Sequence, residues 1–401
     1  MARVLENIGK GLLRKMGVAT PEFRVVSNSE EAVIAAADIG YPVVIKALVT
    51  VGKRGKAGAV KFADNSKEAE KIAQEILSLT VRNFPVEQLL IEEKLDISQE
   101  LYVSITFDSA KRCPVIIAST EGGMDIEEIE RTRPEKIVKY PVNILEGLYP
   151  YQAKEIWSDI GLTGNALQQA TQTLWNLYQG FENYDATILE VNPLAITSSG
   201  KIVAAAILMG VDDDALYRQK ELLGKVEEGS DRAWRPLTDL EKKMVAVDAA
   251  EPYRGTARYT EMDGGDIGLI AGGGGGSLLA YDTLVRLGGT PANYTEFGGN
   301  PTETKVAGLV RGVLSKPGVK GLFMSVNITN NTQTDVVAKG FISGLHDMNI
   351  DPSRFPILVR LAGVNDHEAK KIFIKGGIEY YGDDVSMEDA ANLFIEKMRK
   401  V

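Results

Sequence analysis

The chain has 401 residues, which is enough for two or three domains with cores of their own and too long for a small stapled module. Its apolar fraction of 44% and charged fraction of 25% match ordinary globular chains and argue against disorder, and no run reaches the roughly 18 apolar residues that a membrane span needs. A formal charge of -10, with lysines and arginines scattered among carboxylates, excludes nucleic acid as the expected partner. The single cysteine, Cys113, has no internal partner for a disulfide. The N-terminus lacks the order of a signal peptide, so a cytoplasmic protein with no membrane partner is expected.

In chain order, "VLENIGKGLLRKMG" has helical apolar spacing and ends on a glycine, and "FRVVS" beyond Pro21 is extended. Asn28 or Ser29 caps a helix over "SEEAVIAAADIG", followed by a strand "PVVIKAL", a glycine- and lysine-bearing loop, a strand "AVKFA" and a capped helix "NSKEAEKIAQEILSL". Three short strands are predicted in "EQLLIEEKL", "ELYVSITFD" and "CPVIIAST". A long helix around "LQQATQTLWNLYQGF" precedes a hairpin in "ATILEVNPLAITSSGKIVAAAI" that turns at Ser198 to Gly200. A mixed α+β domain is therefore expected over 1–225, with a polar linker over 226–245.

From 246 to 401 the rhythm changes. Short apolar runs ("DIGLIAGGGGG", "GTPANYTEF", "VKGLFMSVN", "PILVRLAG", "GIEYYGD") alternate with helical segments, and a last helix "MEDAANLFIEKMRK" follows. This alternation predicts a parallel, doubly wound sheet whose ligands lie at the carboxyl ends of its strands, where the run Gly272–Gly276 falls.

Several stretches carry candidate chemistry. In "GKRGKAGAV", Gly52, Gly55 and Gly58 can bring backbone N–H groups to phosphate oxygens while Lys53, Arg54 and Lys56 supply charged donors; a solvated turn with surface lysines is the alternative. The ordered Walker pattern is absent. Lys46, near a strand end, is placed to hold a phosphate as a point charge. Glu92, Glu93 and Glu100 are either ribose, purine or metal contacts or charges that protect a strand edge. Glu190 and Asn192 lie in an apolar strand, where a polar pair needs a partner. The two histidines, His346 and His367, fall in a helix and at a helix start, and neither looks like a phosphate-accepting nucleophile.

The stretches "KRGKAGAVK", "IEEKLDISQELY", "ASTEGGMDIEEIE", "LEVNPLAIT" and "DALYR" occur in an order that resembles the β subunits of the succinyl-CoA synthetase family, which are ATP-grasp, nucleoside-diphosphate-forming acyl-CoA synthetases. The resemblance implies an N-terminal ATP-grasp domain and a flavodoxin-like second domain. Its partner is an α subunit that brings the phosphorylated histidine and the CoA-binding domain. Residue by residue, it implies nucleotide positions at Lys46, Lys53, Arg54, Gly55, Glu92, Leu95 and Glu100. It also implies a magnesium position at Asn192 and, at Glu190, the carboxylate that faces the partner histidine. The implied cofactors are ATP and Mg2+, with coenzyme A as co-substrate held mainly by the partner.

There are departures. Lys53 and Thr50 stand where succinyl enzymes carry glycine and histidine, and Ala206 stands where a second magnesium ligand, an aspartate, is usual; Asp212, Asp213 or Asp214 are candidates to reach the ion instead. The segment "GGGGGSLLAYDTLVRLGGTPANYTEFGGNPTE" is more similar to ATP-citrate lyase and citryl-CoA synthetase, which puts Gly299, Asn330 and Thr332, with the neighbouring Asn331, at acid-binding positions. The second arginine of the citrate pattern is Leu361 here, which argues against a tricarboxylate. The expected activity is an ADP-forming acid–CoA ligase acting on succinate, a hydroxy-dicarboxylate or a short sulfonated acid. The alternatives are a citryl-CoA synthetase or ATP-citrate lyase subunit, and a non-catalytic regulatory subunit.

Overall fold

The computed structural model describes residues 1–51, 54–123, 126–226 and 235–400, and the chain divides into two compact units, Met1–Pro236 and Leu237–Val401. Among its described residues the first unit holds two larger antiparallel sheets and a two-stranded ribbon, Thr80–Val81 with Phe84–Pro85. The smaller of the two sheets has four strands in the order Phe23–Val26, Leu89–Glu93, Val43–Ala47, Val60–Ala63. Helices Ser29–Ile39 and Ser66–Leu77 cover it; Asn28 and Asn65 cap them by accepting the N–H of Glu31 and Glu68. Alanines at helical spacing (Ala32, Ala36, Ala69, Ala73) let these helices lie close against Val43, Ile45, Leu89 and Ile91.

The larger, seven-stranded sheet runs Ala2–Val4, Ile207–Val211, Ala186–Thr197, Ile97–Asp108, Cys113–Ser119, Ile137–Pro141, with Ile202–Ala204 hairpinned onto Ala186–Thr197. The turn of that hairpin is closed by a bond from the N–H of Gly200 to the Thr197 carbonyl, and Gly200 has φ of 78°, a conformation that suits glycine. Helices Pro150–Asp159 and Gly164–Asn183 bury Trp157, Leu174, Leu177 and Tyr178 against this sheet. The edge strands Ala2–Val4 and Ile137–Pro141 carry too few residues of alternating pattern to be legible in advance.

In the second unit the strands run in the order Thr256–Glu261, Asn293–Gly298, Ile267–Gly272, Gly321–Gln333, Ile357–Val364, Glu379–Tyr381. The last five are parallel, while Thr256–Glu261 pairs antiparallel with Asn293–Gly298, so the expected all-parallel sheet carries an antiparallel edge. Helices cover both faces. Along Gly321–Gln333, Leu322, Met324 and Val326 face the core formed with helices Glu303–Ser315 and Thr334–Asp347, and Phe323 faces the one formed with Gly274–Arg286 and Met387–Met398. The period of two is what splits the core into two layers.

The expected linker over 226–245 is partly helical. Residues 239–245 belong to helix Asp239–Ala249, which opens with a capping box: Thr238 Oγ1 accepts the Glu241 N–H at 3.1 Å and Glu241 accepts the Thr238 N–H at 2.8 Å. Thr238→Ala is expected to cost about 1 kcal/mol, read as a lower thermal midpoint for the second unit. Among the described residues, no helix is long and apolar enough to cross a membrane.

Candidate functional site

Lys46 and Glu92 lie on neighbouring strands of the four-stranded sheet. The register pairs Val44 with Glu92, so Lys46, two residues beyond Val44, points to the same face. Glu6 and Lys10, one turn apart on helix Glu6–Lys15, complete a buried cluster with Arg54. Lys46 Nζ donates to Glu92 Oε2 at 2.5 Å, to Glu6 Oε1 at 3.2 Å and to the Ala205 carbonyl at 2.9 Å. Lys10 Nζ contacts Glu6 at 3.0 Å, pairs with Glu92, and donates to the same Ala205 carbonyl at 2.8 Å. Arg54 pairs with Glu6 Oε2 and donates to the Ala47 carbonyl at 2.9 Å.

Burial works against the charge of Glu6, but Lys46, Arg54 and Lys10 outweigh it and hold its carboxyl far below the usual range. Burial likewise opposes the Lys46 charge, and Glu6 and Glu92 overcome it and raise its pKa; for Lys10, burial wins and lowers it. Glu6 in the folded chain binds its proton more weakly than in the unfolded chain. Its contribution to stability is therefore complete above the ordinary glutamate value of 4.5 and is lost as the pH falls below it. Circular dichroism during acid titration is expected to show the first unit weakening below that pH, and a Glu6→Gln variant to show less of this acid dependence.

Glu6 and Lys10 are absent from the sequence-derived candidates. An i,i+4 pair of opposite charges on a helix usually marks a solvated face, and only contact with the sheet shows that this one is buried. Glu92, expected as a ribose, purine or metal contact, commits its carboxylate to two lysines. Arg54 leads into the short turn Gly55–Ala57, and Gly58 has φ of 70°. Lys53 lies outside the described residues. Leu95 is half-buried in the three-residue connection between Leu89–Glu93 and Ile97–Asp108.

A second group forms on the seven-stranded sheet. The Gly122 N–H bonds the Glu100 carbonyl at 2.8 Å, and a side chain at Gly123 would collide with the Glu100 carboxylate, so this loop lies directly over Glu100. Asn192 Oδ1 accepts the Gly123 N–H at 2.8 Å, and the Asn192 N–H bonds the Ala206 carbonyl at 3.3 Å. Glu190 pairs in register with Ser104 and accepts the hydroxyl of the buried Tyr102 at 3.2 Å. The link Ala205–Ala206 joins the two groups, because one carbonyl holds Lys46 and Lys10 while the next holds Asn192.

The aspartates considered as replacements for the missing ligand do not approach Asn192. Val191 pairs with Ile207 but Ala186 pairs with Val211, which puts Asp212–Asp214 at the other end of the strand, about 15 Å away. Asp213 holds the N-terminal amino group at 2.7 Å and Asp212 caps a short turn. Among the described residues no cluster of three or more His, Cys, Asp or Glu side chains could hold a metal.

In the second unit, Gly273 has φ of 77° where strand Ile267–Gly272 gives way to helix Gly274–Arg286, and a side chain at Gly272 would strike Val326. A cavity of about 350 Å³ opens there, lined by Gly272–Gly276, Leu279, Asn327 and Met387. Asn330, Asn331 and Thr332 lie on the extended end of strand Gly321–Gln333, with Thr332 buried and the asparagines exposed. Gly299 follows strand Asn293–Gly298, and its neighbour Asn300 accepts the Gln333 N–H at 3.0 Å, which draws the two segments together. None of these four residues lines the glycine cavity. Arg360 is buried, donating from Nε to the Val385 carbonyl at 3.0 Å and from Nη1 to the Val326 carbonyl at 2.5 Å. Both histidines are exposed on helices, His346 on Thr334–Asp347 and His367 on Asp366–Lys375.

Both units match known families. Residues 3–196 match the ATP-grasp domain family, and residues 235–396 match the citrate-binding domain of ATP citrate lyase. The chain is 38% identical to the β subunit of an ADP-forming succinate–CoA ligase of Ignicoccus hospitalis, over 97% of each chain. It is also 38% identical to a GDP-forming counterpart of Thermus thermophilus, over 90% of this chain and 91% of that one. An ATP citrate lyase structure from Methanothrix soehngenii, solved with citrate and coenzyme A, shares the fold with a TM-score of 0.81 at 21% identity, covering 98% of this chain and 99% of that one. The sequence matches thus make the chain an ATP-grasp ligase. Within that class, the chain belongs to the family of nucleoside-diphosphate-forming acid–CoA ligase β subunits that includes succinate–CoA ligase.

Proposed function

We propose that this chain binds ATP in its first unit and works with an α subunit to make a CoA thioester of a small di-acid, be it succinate, a hydroxy-dicarboxylate or a short sulfonated acid. The observation that carries this reading is the buried cluster in which Lys46 and Arg54 converge on Glu6, a place where two cations are already gathered for an anion. Lys46, Arg54, Gly55, Glu92, Leu95 and Glu100 form the nucleotide site, and Glu190 orients a histidine of the partner subunit. ATP transfers its terminal phosphoryl group to that histidine and leaves as ADP; the histidine passes the group to the acid's carboxylate, and the thiol of coenzyme A displaces phosphate. Because phosphoryl transfer depends on positioning and electrostatics, Lys46 and Arg54 serve by placing the phosphates and countering their charge.

The donor set fits a magnesium ion carried on the nucleotide and not one caged by protein. Asn192 offers one side-chain oxygen, Ala206 offers none, and magnesium keeps several waters and phosphate oxygens readily. When bound, the ion neutralises phosphate charge.

The second unit takes the acid, with Gly299, Asn330, Asn331 and Thr332 as its contacts. Its parallel strands follow the order 2-1-3-4-5, which supports a flavodoxin-like arrangement with the glycine cavity at the topological switch point. Domains of 1–225 and 246–401, a hetero-oligomer and a cytoplasmic location belong to the same reading. The match of 235–396 to a citrate-binding domain favours, as a second reading, a citrate-type acid.

The deciding experiment copurifies the chain with its partner and scans small carboxylic and sulfonic acids for ADP release with magnesium-ATP and coenzyme A. Release with one acid is expected and names the substrate; release with citrate alone selects the second reading. No release with any acid, together with no binding of magnesium-ATP, would leave a non-catalytic subunit.

A further inference from the structure

We infer that Glu6 is an internal stand-in for a nucleotide phosphate and that Glu6 and Lys10 are positioning residues of the nucleotide site. This inference rests on the nucleotide reading above and deepens it.

The cluster is ordered by exposure. The side chains of Lys10, Glu6 and Glu92 are at most 2% exposed, whereas Lys46 and Arg54 reach 9% and 12%, so solvent meets the cluster at the two cations that the nucleotide reading assigns to phosphate. Those two cations are already engaged. The three donor hydrogens of Lys46 face three acceptors, Glu6, Glu92 and the Ala205 carbonyl, and Arg54 spans Glu6 and the Ala47 carbonyl. Glu6 divides its two oxygens between them, Oε1 to Lys46 and Oε2 to Arg54, as two oxygens of a phosphate would.

An incoming phosphate therefore competes with the Glu6 carboxylate for the same donors. Three cations and two carboxylates leave the cluster one positive charge in excess, which attracts an anion while keeping the folded chain from burying bare cations in its absence. Lys10, wholly buried, faces no solvent and stays as the fixed countercharge of Glu92 when Lys46 turns to the nucleotide. Glu6 thus trades nucleotide affinity for a preassembled pair of cations, and a neutral isostere at that position must shift the balance toward the nucleotide.

The test measures binding of magnesium-ADP to the full chain by calorimetry, for the parent, Glu6→Gln and Lys46→Ala. Glu6→Gln is expected to bind about tenfold more tightly, because Arg54 and Lys46 are released and the cluster gains a net positive charge. Its thermal midpoint without nucleotide should fall and its rise on adding magnesium-ADP should exceed that of the parent. A merely structural role for Glu6 predicts the opposite sign, weaker binding. Unchanged or weaker binding by Glu6→Gln, with Lys46→Ala still impaired, overturns the inference and leaves the nucleotide reading standing. Unimpaired binding by Lys46→Ala overturns both. Should Glu6→Gln fail to fold, Glu6→Asp retains the charge with a shorter reach and is expected to bind two- to threefold more tightly; no gain overturns the inference as well.

Discussion

Lys46→Ala is expected to lower the turnover of the assembled ligase about a hundredfold, the scale on which loss of one preorganised donor to developing charge is felt. Its ammonium reaches Glu6, Glu92 and the Ala205 carbonyl at once, as that of Lys10 does, but of the two lysines only Lys46 meets solvent, so its removal takes away a charge and a fixed position together. The fold should survive. Glu6 keeps Lys10 and Arg54, and Glu92 keeps Lys10, so no carboxylate is left bare, and the cost in stability should be about 2 kcal/mol. The measurement is steady-state turnover of the purified complex beside a thermal melt. Turnover within threefold of the parent would remove Lys46 from the phosphate site.

Glu190→Gln is expected to lower turnover by a similar factor while leaving magnesium-ADP binding by this chain intact. The carboxylate accepts the hydroxyl of buried Tyr102 and sits two residues from Asn192, whose own oxygen is tied to the Gly123 N–H. Glutamine keeps the size and the hydrogen bond from Tyr102 but loses the charge that would orient and stabilise a cationic imidazole of the partner. Single-turnover phosphorylation of the partner subunit separates the two steps: a normal rate there with Glu190→Gln would sink the assigned role. Binding of magnesium-ADP weakened by the same change would place Glu190 in the nucleotide site instead.

The two predictions draw on different kinds of legibility. Asn192 and Glu190 were visible because a polar pair inside the apolar run "ATILEVNPLAI" needs partners; the structure leaves both half-buried and supplies partners in Gly123 and Tyr102. Lys46 was visible as a cation at a strand end. Glu6 was not, because helical spacing says which residues share a face and not which neighbour covers it. Asp212–Asp214 failed for a related reason: they are close to Ala206 in sequence, but an extended strand carries each residue about 3.3 Å further from the site. Asn330 and Asn331 have no apolar alternation to mark them as strand, yet strand Gly321–Gln333 extends through them beside Ile357–Val364.

What the sequence by itself determined is the local order: amphipathic periods, caps at Asn28 and Asn65, the turn at Gly200, and the change from mixed elements to alternating strand and helix. These depend on interactions among residues a few positions apart, which spacing encodes directly. Only the tertiary structure decided that Glu6, Lys10, Lys46, Arg54 and Glu92, spread over nearly ninety positions, share one buried cluster closed by the carbonyl of Ala205. Burial is what turns those charges from surface decoration into a site. Taken out of water, each must find an opposite partner, and which partners are in reach depends on how helix and sheet pack.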